Sequence, residues 1–346
     1  MHPDRIQSLA RECGFELAGI AAAVPVREAD YYRQWAAGGF AGEMRYLTDR
    51  RAAIREDPRR LMPSARSIVC VGKLYNGPQP YSTQWPGEHL AWISRYAWGQ
   101  DYHAVLRLGL SRLVDRLRAE WPQPFEWKIC VDTAPLLERA YARHAGLGWI
   151  GKNTCLINQH AGSWFFLGEL LLSLELEADH PPPDRCGTCS RCIDACPTQA
   201  IVPTGLDRGP AWALDARLCI SYFTIELRGP VTVEHRPGVG RHVFGCDICQ
   251  DVCPWNRRAP VTAEPAFAPA RGAPPLEMLA ALSEDEFCEM FRGTPIPRAR
   301  YSGFLRNVAL AMGNAGQERF RAPLAKLAAS PDALVAEAAR WALAIA

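Results

Sequence analysis

The feature that most constrains this chain is a concentration of cysteine: of its 13 cysteines, eight lie between residues 186 and 253. The first group has the spacing C-x2-C-x2-C-x3-C followed by proline, and it ends at Cys196. This is the spacing of bacterial two-cluster ferredoxins, whose short intervals let successive thiolates surround one iron–sulfur cube. The second group, CDICQDVCP, ends at Cys253 and lacks the first cysteine of such a run, because Val243 stands there.

The missing ligand has one local candidate. In two-cluster ferredoxins the fourth cysteine of each run binds the other cluster, and Cys219 is the one further cysteine between the two runs. We therefore predict two [4Fe–4S] clusters with eight thiolate ligands. The first cluster takes Cys186, Cys189, Cys192 and Cys253, and the second takes Cys196, Cys219, Cys246 and Cys249.

Zinc is the main alternative for these cysteines, because paired C-x2-C units also bind zinc, and a single cluster is another. A run of four cysteines followed by proline fits zinc poorly. The other five cysteines stand singly in apolar surroundings and are predicted to be small buried hydrophobic residues: Cys13, Cys70, Cys130, Cys155 and Cys288.

Bulk composition adds little to this picture. The chain has 346 residues, 48% hydrophobic and 22% charged, with a formal net charge of +2, which is ordinary for a globular protein of two or three domains. No stretch reaches the roughly 18 apolar residues of a membrane-spanning helix, and the N-terminus has no signal core. We therefore expect a cytoplasmic protein without membrane contact, in which thiols stay reduced.

Two composition shifts divide the chain. Three prolines at 181–183 precede the first cysteine run, and an Ala- and Pro-rich stretch follows Asn256, which predicts segments 1–180, 181–262 and 263–346. The tail is predicted to be helical with a break at 330–332, and it contains one or two pairs of a helical repeat. The expected class is α+β, with a first segment of mixed α/β structure: a helix from His103 to Glu120 and strands at Ser67–Gly72, Lys128–Asp132 and Ser163–Leu176.

An enzyme is favoured over an electron carrier, since a carrier has no use for a separate α/β segment of this size. Within that segment Asp132 ends an apolar strand and precedes Pro135, where a helix is predicted to start. A carboxylate at this point either caps the helix or serves as an acid at a strand end facing a pocket. Position alone leaves both interpretations open.

The order of several motifs resembles the epoxyqueuosine reductase family. The chain carries, in sequence, ISRYAWGQDYH, VDTAPLLER, GLGWIGKNT, GSWFFLGE, CGTCSRCIDACPTQAI, CISYFTIE and GCDICQDVCPWN. The resemblance runs from about residue 5 to 260 and recurs in RNVALAMGN of the tail, which is short for the family. The cysteine run alone is unspecific, but the ordered set is specific to this family.

The resemblance implies an enzyme that reduces epoxyqueuosine to queuosine at the wobble position of tRNA. It implies a cobalamin-binding catalytic domain at 1–180, a ferredoxin-like domain with two [4Fe–4S] clusters at 181–262, and a HEAT-like, tRNA-contacting helical segment at 263–346. Removing the epoxide oxygen takes two electrons and two protons, and the resemblance makes Asp132 the proton donor. To hold a proton at neutral pH, Asp132 needs a pKa raised by burial against the apolar corrin face.

Cobalamin is expected in its base-off form, with the lower axial position empty or occupied by water. No histidine stands in the D-x-H-x-x-G pattern that replaces the cofactor's own base in some enzymes. The residues predicted to contact the corrin lie in or beside the family motifs and, with Asp132, are Arg55, Tyr96, Lys152, Asn153, Leu156, Ser221 and Glu226.

Three arginine-rich stretches, at 50–66, 227–242 and 292–306, predict contact with the anticodon stem-loop of tRNA. Arginine pairs with phosphate and aromatic rings stack on unpaired bases; a solvated basic face is the alternative for any one stretch. We further expect a monomer that receives electrons from an external flavodoxin- or ferredoxin-like donor. The competing functions are reduction of a small molecule by a dehalogenase-like cobalamin enzyme and non-catalytic electron transfer.

Overall fold

A computed structural model describes residues 3–205, 209–269 and 272–345. In these ranges the strands are β1 Leu17–Ala22, β2 Ser67–Leu74, β3 Trp92–Ile93, β4 Trp127–Cys130, β5 Trp149–Ile150, β6 Leu156–Ile157, β7 Phe165–Leu172, β8 Ile201–Pro203, β9 Trp212–Leu214 and β10 His242–Phe244. The helices are α1 Pro3–Glu12, α2 Glu28–Ala37, α3 Arg51–Ile54, α4 Tyr102–Glu120, α5 Glu138–His144, α6 Arg191–Asp194, α7 Ile220–Ile225, α8 Arg236–Val239, α9 Ile248–Asp251, α10 Leu276–Ala281, α11 Glu284–Met290, α12 Tyr301–Ala315, α13 Arg321–Ala328 and α14 Ala333–Ile345.

The first part of the chain is built on a four-stranded antiparallel sheet in the order β1-β2-β7-β4. Every residue of β2 is buried, because helices cover both faces of the sheet. Val69 and Val71 face α1 and α4, whereas Ile68 and Cys70 face α5, as the alternation of side chains along a strand requires. The mixed helix and sheet content agrees with the predicted α+β class.

Helix α4 begins one residue before its predicted start. Asp101 is its N-cap, and Oδ1 of Asp101 accepts the backbone N–H of His103 at 3.0 Å, which is the usual role of an aspartate before a helix. The apolar side of α4 packs on the sheet through Leu106, Leu110 and Leu113. This arrangement fixes His103 in the first turn, next to the end of β4.

The predicted surroundings of Asp132 are wrong in two respects. The strand ends at Cys130, and the next helix, α5, begins at Glu138 rather than at Pro135. Between them the N–H of Thr133 donates to the carbonyl of Val131 at 2.6 Å, which is a three-residue turn that interrupts regular structure. Asp132 adopts φ +50° in this turn. It caps no helix, since the N-cap of α5 is Leu137.

The C-terminal helices pack on the segment that carries the second cysteine run. In α12, the guanidinium of Arg306 donates to the carbonyls of Leu227 and Gly229 at 2.9 and 2.6 Å. The amide of Asn307 donates to the carbonyls of Thr224 and Val243 at 2.8 and 2.9 Å. The predicted break at 330–332 is confirmed between α13 and α14. No helix in the described part of the chain has the length and apolar character to cross a membrane.

Candidate functional site

The first cysteine group contains residues of both runs. Burial raises the pKa of the Cys192 thiol to about 11, and the neighbouring thiols of Cys186, Cys253 and Cys189 add to this shift. Cys253 in turn lies close to Cys186 and Cys189. The last cysteine of the second run therefore lies with the first three of the first run, which is the crossing found in two-cluster ferredoxins.

The second group brings together the other four predicted ligands. Burial raises the pKa of Cys246, and the nearby thiols of Cys219 and Cys196 contribute to the shift. Cys249 lies near Cys246 and Cys219. Cys219 stands directly before α7 and lies near Cys246, whereas Val243 is fully buried and supplies no thiol.

Among the described residues, neither cysteine group has the arrangement of a site for one metal ion. Within residues 3–205, 209–269 and 272–345, no three His, Cys, Asp or Glu side chains converge on a single ion position. A single zinc requires its sulfurs at about 2.3 Å from one point, whereas a four-iron cube carries its ligands at separate corners. The helices α6 and α9, one in each run, pack against each other between the groups.

The β5–β6 loop, residues 151–155, contacts both cysteine runs. Lys152 Nζ donates to the carbonyl of Cys189 at 2.9 Å, and Asn153 Nδ2 donates to the carbonyl of Cys249 at 3.3 Å. A hydrogen bond with the thiol of Cys249 lowers the pKa of Cys155. The prediction that Cys155 is an isolated hydrophobic residue is therefore wrong, because pairing of β5 with β6 folds this loop onto the second group.

The remaining single cysteines differ in their exposure. Cys13, Cys70 and Cys130 are buried, as predicted. Cys288 is exposed, and for it the prediction is wrong, because α11 turns its Phe287 side toward the core instead.

Asp132 shares a proton network with the start of α4. Its side chain is 38% exposed, and its Oδ2 lies 3.1 Å from Nε2 of His103. The other ring nitrogen of His103, Nδ1, lies 2.7 Å from Oδ1 of Asp101. The imidazole therefore bridges two carboxylates, which favours its protonated form.

Arg298, from the turn before α12, brings the tail of the chain to the same place. Its Nη1 lies 3.7 Å from Oδ2 of Asp132. Its Nε donates to Oε1 of Glu226 at 2.7 Å and its Nη2 donates to the hydroxyl of Tyr46 at 3.2 Å. Segments that are remote in sequence thus meet around one carboxylate.

These neighbours set the charge of Asp132. Burial raises its pKa, but the hydrogen bond from His103, the charge of Arg298 and a hydrogen bond from Tyr102 outweigh burial and leave the pKa below its usual range. Hydrogen bonds to Asp101 and Asp132 raise the pKa of His103 to about 9. At neutral pH the proton therefore resides on His103 while Asp132 is ionised. For the protein chain alone the pKa of Asp132 is therefore lowered, because two cationic side chains lie beside it; the raised pKa expected on burial against the corrin face stays a prediction.

The predicted corrin contacts fall at different places. Tyr96 and Glu226 lie at the Asp132 site; burial raises the pKa of Tyr96, and the charges of Arg298, Asp132 and Glu226 act on it. Lys152 and Asn153 lie on the cysteine runs. The other three are buried Leu156 in β6, Ser221 two residues after Cys219, and buried Arg55, whose Nη1 donates to the carbonyl of Tyr46 at 3.0 Å.

Aromatic rings connect the second cysteine run with the Asp132 site. Phe244, just before that run, has its ring centroid 5.9 Å from that of Tyr96. The rings of Tyr96 and Tyr102 are 6.3 Å apart, and Tyr102 stacks on His103 at 4.3 Å. A series of adjacent aromatic rings therefore links the second cysteine group to the hydrogen-bond network of Asp132 and His103.

Several arginines of the basic stretches are buried and bind oxygens of the protein itself. Arg55, Arg236 and Arg306 are 6%, 3% and 1% exposed, and for these the expected contact with phosphate is wrong, because each is enclosed by the core and bonded to protein oxygens. Arg298 is engaged with Glu226.

A smaller basic cluster remains at the rim of the Asp132 site. Arg228 donates to the backbone carbonyls of Ala299 and Arg298 at 3.2 Å each. Burial lowers the pKa of Arg228, and the positive charges of Arg300 and Arg298 lower it further. Arg300 is exposed and adopts φ +59°, an uncommon conformation for a residue with a side chain. We call Arg228, Arg298 and Arg300 the rim arginines.

Sequence reasoning missed several members of this site. His103 was visible only as the end of the motif ISRYAWGQDYH, with no sign that it faces Asp132. In the sequence, Arg298 is one more charge of a basic stretch. Tyr46 stands in none of the motifs, and the motif VDTAPLLER gives no sign that Oε1 of its Glu138 accepts the backbone N–H of Asp132 at 2.6 Å.

Two family models match the chain. The model described as "Epoxyqueuosine reductase QueG, DUF1730" matches residues 55–133, and the model described as "4Fe-4S double cluster binding domain" matches residues 185–256. The first match includes Asp132, and the second spans all eight cysteines of the two groups.

Similar proteins extend over nearly the whole chain. An epoxyqueuosine reductase of Xanthomonas campestris is 43% identical over 98% of this chain and 95% of its own length. A crystal structure of an epoxyqueuosine reductase with an epoxyqueuosine-modified tRNA-Tyr stem loop has a TM-score of 0.88 and 29% identity, covering 98% of this chain and 88% of that chain. A Bacillus subtilis epoxyqueuosine reductase, with its catalytic aspartate loop swung out of the active site, has a TM-score of 0.76 and 26% identity, covering 99% and 98%.

Proposed function

The chain belongs to the epoxyqueuosine reductase family, and we infer that it reduces epoxyqueuosine to queuosine in tRNA. The observation that carries this is the 43% identity over nearly the full length of a family member. The reaction removes the epoxide oxygen as water and leaves a carbon–carbon double bond, so it consumes two electrons and two protons. The chain has to deliver both to one place, and the proximity of the cysteine groups to Asp132 supports this.

The chain carries a double [4Fe–4S] domain, and we propose the ligands of each cluster. Cys186, Cys189, Cys192 and Cys253 bind the first, and Cys196, Cys219, Cys246 and Cys249 bind the second. Gly187 and Arg191 around the first run are exposed, whereas Gly245 and Asp247 around the second run are buried. This difference supports electron entry from an external flavodoxin- or ferredoxin-like donor at the first cluster and transfer through the second.

Cobalamin is the proposed acceptor of these electrons, and when bound it supplies low-valent cobalt as the reductant. Its rim of amide groups needs hydrogen-bonding partners. Within the described ranges the hydroxyls of Tyr96 and Ser221 make no hydrogen bond to the protein, although both residues are partly buried. These open polar groups fit such a ligand. The proposed corrin contacts are Tyr96 and Ser221, with Arg55, Asp132, Lys152, Asn153, Leu156 and Glu226.

Proton delivery is proposed for the pair of Asp132 and His103. His103 holds the proton at neutral pH, since its pKa is about 9, and Asp132 passes it to the departing oxygen of the substrate. Asp101 orients the imidazole of His103: its Oδ1 binds Nδ1, so that Nε2 faces Asp132. Arg298 keeps Asp132 in place between proton transfers through the contact at 3.7 Å.

The tRNA anticodon stem-loop is the proposed partner. The rim arginines border the Asp132 site and carry charge that attracts phosphate. The helices α10 to α14 support Arg298 and Arg300 from behind, and we propose that they form the HEAT-like segment expected from the sequence and that the protein acts as a monomer.

The test is nucleoside analysis of tRNA from cells that carry or lack the gene. Deletion should replace queuosine by epoxyqueuosine, and the wild-type gene on a plasmid should restore queuosine. The same plasmid with Asp132→Asn should not. Unchanged queuosine in the deletion strain, without another copy of the gene, would refute the proposed function.

A further inference from the structure

Glu169 is a buried carboxyl group that the proposed reaction does not use. It lies in the middle of β7 and is 0% exposed. In the register of the sheet it stands between Cys70 of β2 and Cys130 of β4. Among the described residues, neither of its oxygens has a nitrogen or hydroxyl donor. An unpaired buried carboxylate is costly, so a partner that can carry a proton is required.

That partner is Glu138, at the start of α5. The carboxyl groups of Glu169 and Glu138 face each other, and they form a hydrogen bond only when one of them is protonated. On its other side, Oε1 of Glu138 accepts the backbone N–H of Asp132 at 2.6 Å. Glu138 therefore lies between the buried carboxyl and the loop that carries Asp132.

The Asp132 loop needs such a support. Asp132 adopts φ +50°, a conformation that costs free energy for a residue with a side chain and persists when surrounding contacts fix it. The loop has no regular structure between Cys130 and Glu138. In the Bacillus subtilis relative the corresponding kind of loop is swung out of the active site, so a loop of this type has a second position.

We propose that Glu138 and Glu169 are positioning residues that share one proton and hold the Asp132 loop in the position from which Asp132 acts. This rests on the proposed function of Asp132. With one proton on the pair, the ionised Glu138 accepts two hydrogen bonds, one from Glu169 and one from the Asp132 backbone. A second proton neutralises Glu138 and weakens its hold on the Asp132 N–H, because hydrogen bonds to charged acceptors are the stronger ones.

The groups around the pair allow this state. Burial is the main cause that raises the pKa of Glu138 to about 7, followed by the charge of Asp132, and burial raises that of Glu169 well above its usual value. The pair thus takes up its second proton at a higher pH than an ordinary carboxyl group does. The other titratable groups that face it are the thiols of Cys70 and Cys130 and the hydroxyl of Tyr102, all with raised pKa and neutral at pH 7, and the cation of Arg139.

The first test is Glu138→Ala in the holoenzyme, with Glu284→Ala, a glutamate at the start of exposed helix α11, as the matched control. Amide hydrogen exchange of residues 131–137 should become about 10- to 100-fold faster in Glu138→Ala, as loss of a hydrogen bond to a charged group predicts. Turnover should fall by a similar factor while KM for tRNA stays unchanged. Unchanged exchange in this loop would overturn the proposal, whatever happens to turnover.

The second test is Glu169→Leu, which removes the donor that Glu169 supplies to Glu138. The pKa of Glu138 should then rise, so the acid-side midpoint of turnover should move up by about one unit or more, with the iron content unchanged. A merely structural role of Glu169 leaves that midpoint in place, and this result would overturn the proposal even if Glu138→Ala does not fold. Loss of all activity with normal loop exchange would instead speak against the role of Asp132.

Discussion

At the scale of single residues, the chemistry of the site depends on which side chain holds one proton. An aspartate that gives up a proton at neutral pH needs either a raised pKa or a neighbour that holds the proton for it. Asp132 has the second arrangement: its own pKa is lowered, and that of His103 is raised to about 9. The acid is therefore a pair, and its pH dependence belongs to the histidine.

Asp132→Asn should reduce turnover by about 10²- to 10⁴-fold, the usual contribution of a positioned acid or base. Asparagine keeps the size and the backbone N–H to Glu138 but cannot relay a proton. Iron content and corrinoid binding should match the wild type, which absorption spectra check. Asp115→Asn, on the far half of α4, is the matched control. Near-normal turnover with both cofactors bound would remove Asp132 from the proton path.

The wild-type enzyme should lose turnover as pH rises through about 9, because His103 then gives up its proton. His103→Gln should be slower at every pH and should lack this step. The same linkage acts on stability. Since the pKa of His103 in the folded protein lies above its ordinary value of 6.5, the stabilisation, about 3 kcal/mol, is complete below pH 6.5 and is lost as pH rises through about 9. Denaturant unfolding of both proteins from pH 6 to 10 measures it; a difference independent of pH would contradict the assignment.

At the scale of elements, two short connections determine the chemistry more than the long helices do. The β4–α5 connection replaces the predicted strand end and proline-started helix by a turn, and this frees Asp132 from capping. The β5–β6 loop places Lys152, Asn153 and Cys155 against the cysteine runs. Both connections depend on partners from other elements, so their conformations follow from packing rather than from local propensity.

Cys219→Ala should lose about half of the bound iron, because the second cluster then has three protein thiolates. Cys155→Ala is the matched control: it removes a thiol from the same group but not a ligand, so it should keep about eight irons per chain. Iron and sulfide analysis of both anaerobically reconstituted proteins decides this. Full iron content in Cys219→Ala would contradict the assignment of Cys219, and together with loss of half the iron in Cys155→Ala it would make Cys155 the eighth ligand.

At the scale of the whole molecule, the C-terminal helices are part of the site. Arg306 and Asn307 join α12 to the segment around the second cysteine run, and the turn before α12 brings Arg298 to Asp132. Burial lowers the pKa of Arg306 to about 10, so it keeps its charge, which is satisfied by carbonyl oxygens. The C-terminal helices therefore contribute both to the core and to the rim arginines.

Arg300→Ala should weaken binding of a tRNA anticodon stem-loop and lower the slope of log affinity against log salt by about one unit, since each phosphate contact releases about one counterion. Arg118→Ala is the matched control, because Arg118 lies at the other end of α4, about 20 Å from His103 at 1.5 Å per residue. Fluorescence anisotropy at several salt concentrations measures both. Equal slopes for the two variants would exclude Arg300 from the interface.

The sequence by itself determined the features that depend on residues close together in the chain or on the number and spacing of the cysteines. The spacing of the cysteines fixes a double-cluster domain, because ligands three residues apart converge on one cube without help from the rest of the chain. The helix from His103 and the strands at Ser67 and Ser163 follow from apolar periodicity, which reports only which face of an element is buried. The ordered motifs identified the family, which the comparisons confirm.

Only the tertiary structure decided which side chains meet. His103, Glu226 and Arg298 approach Asp132 from α4, from the end of α7 and from the turn before α12, and no periodicity links these positions. The charges of His103 and Arg298 lower the pKa of Asp132. The carboxyl groups of Glu138 and Glu169 lie in α5 and β7, two elements that meet only in the folded protein. Electrostatic effects of this kind depend on distance in space and on burial, which a sequence pattern does not contain.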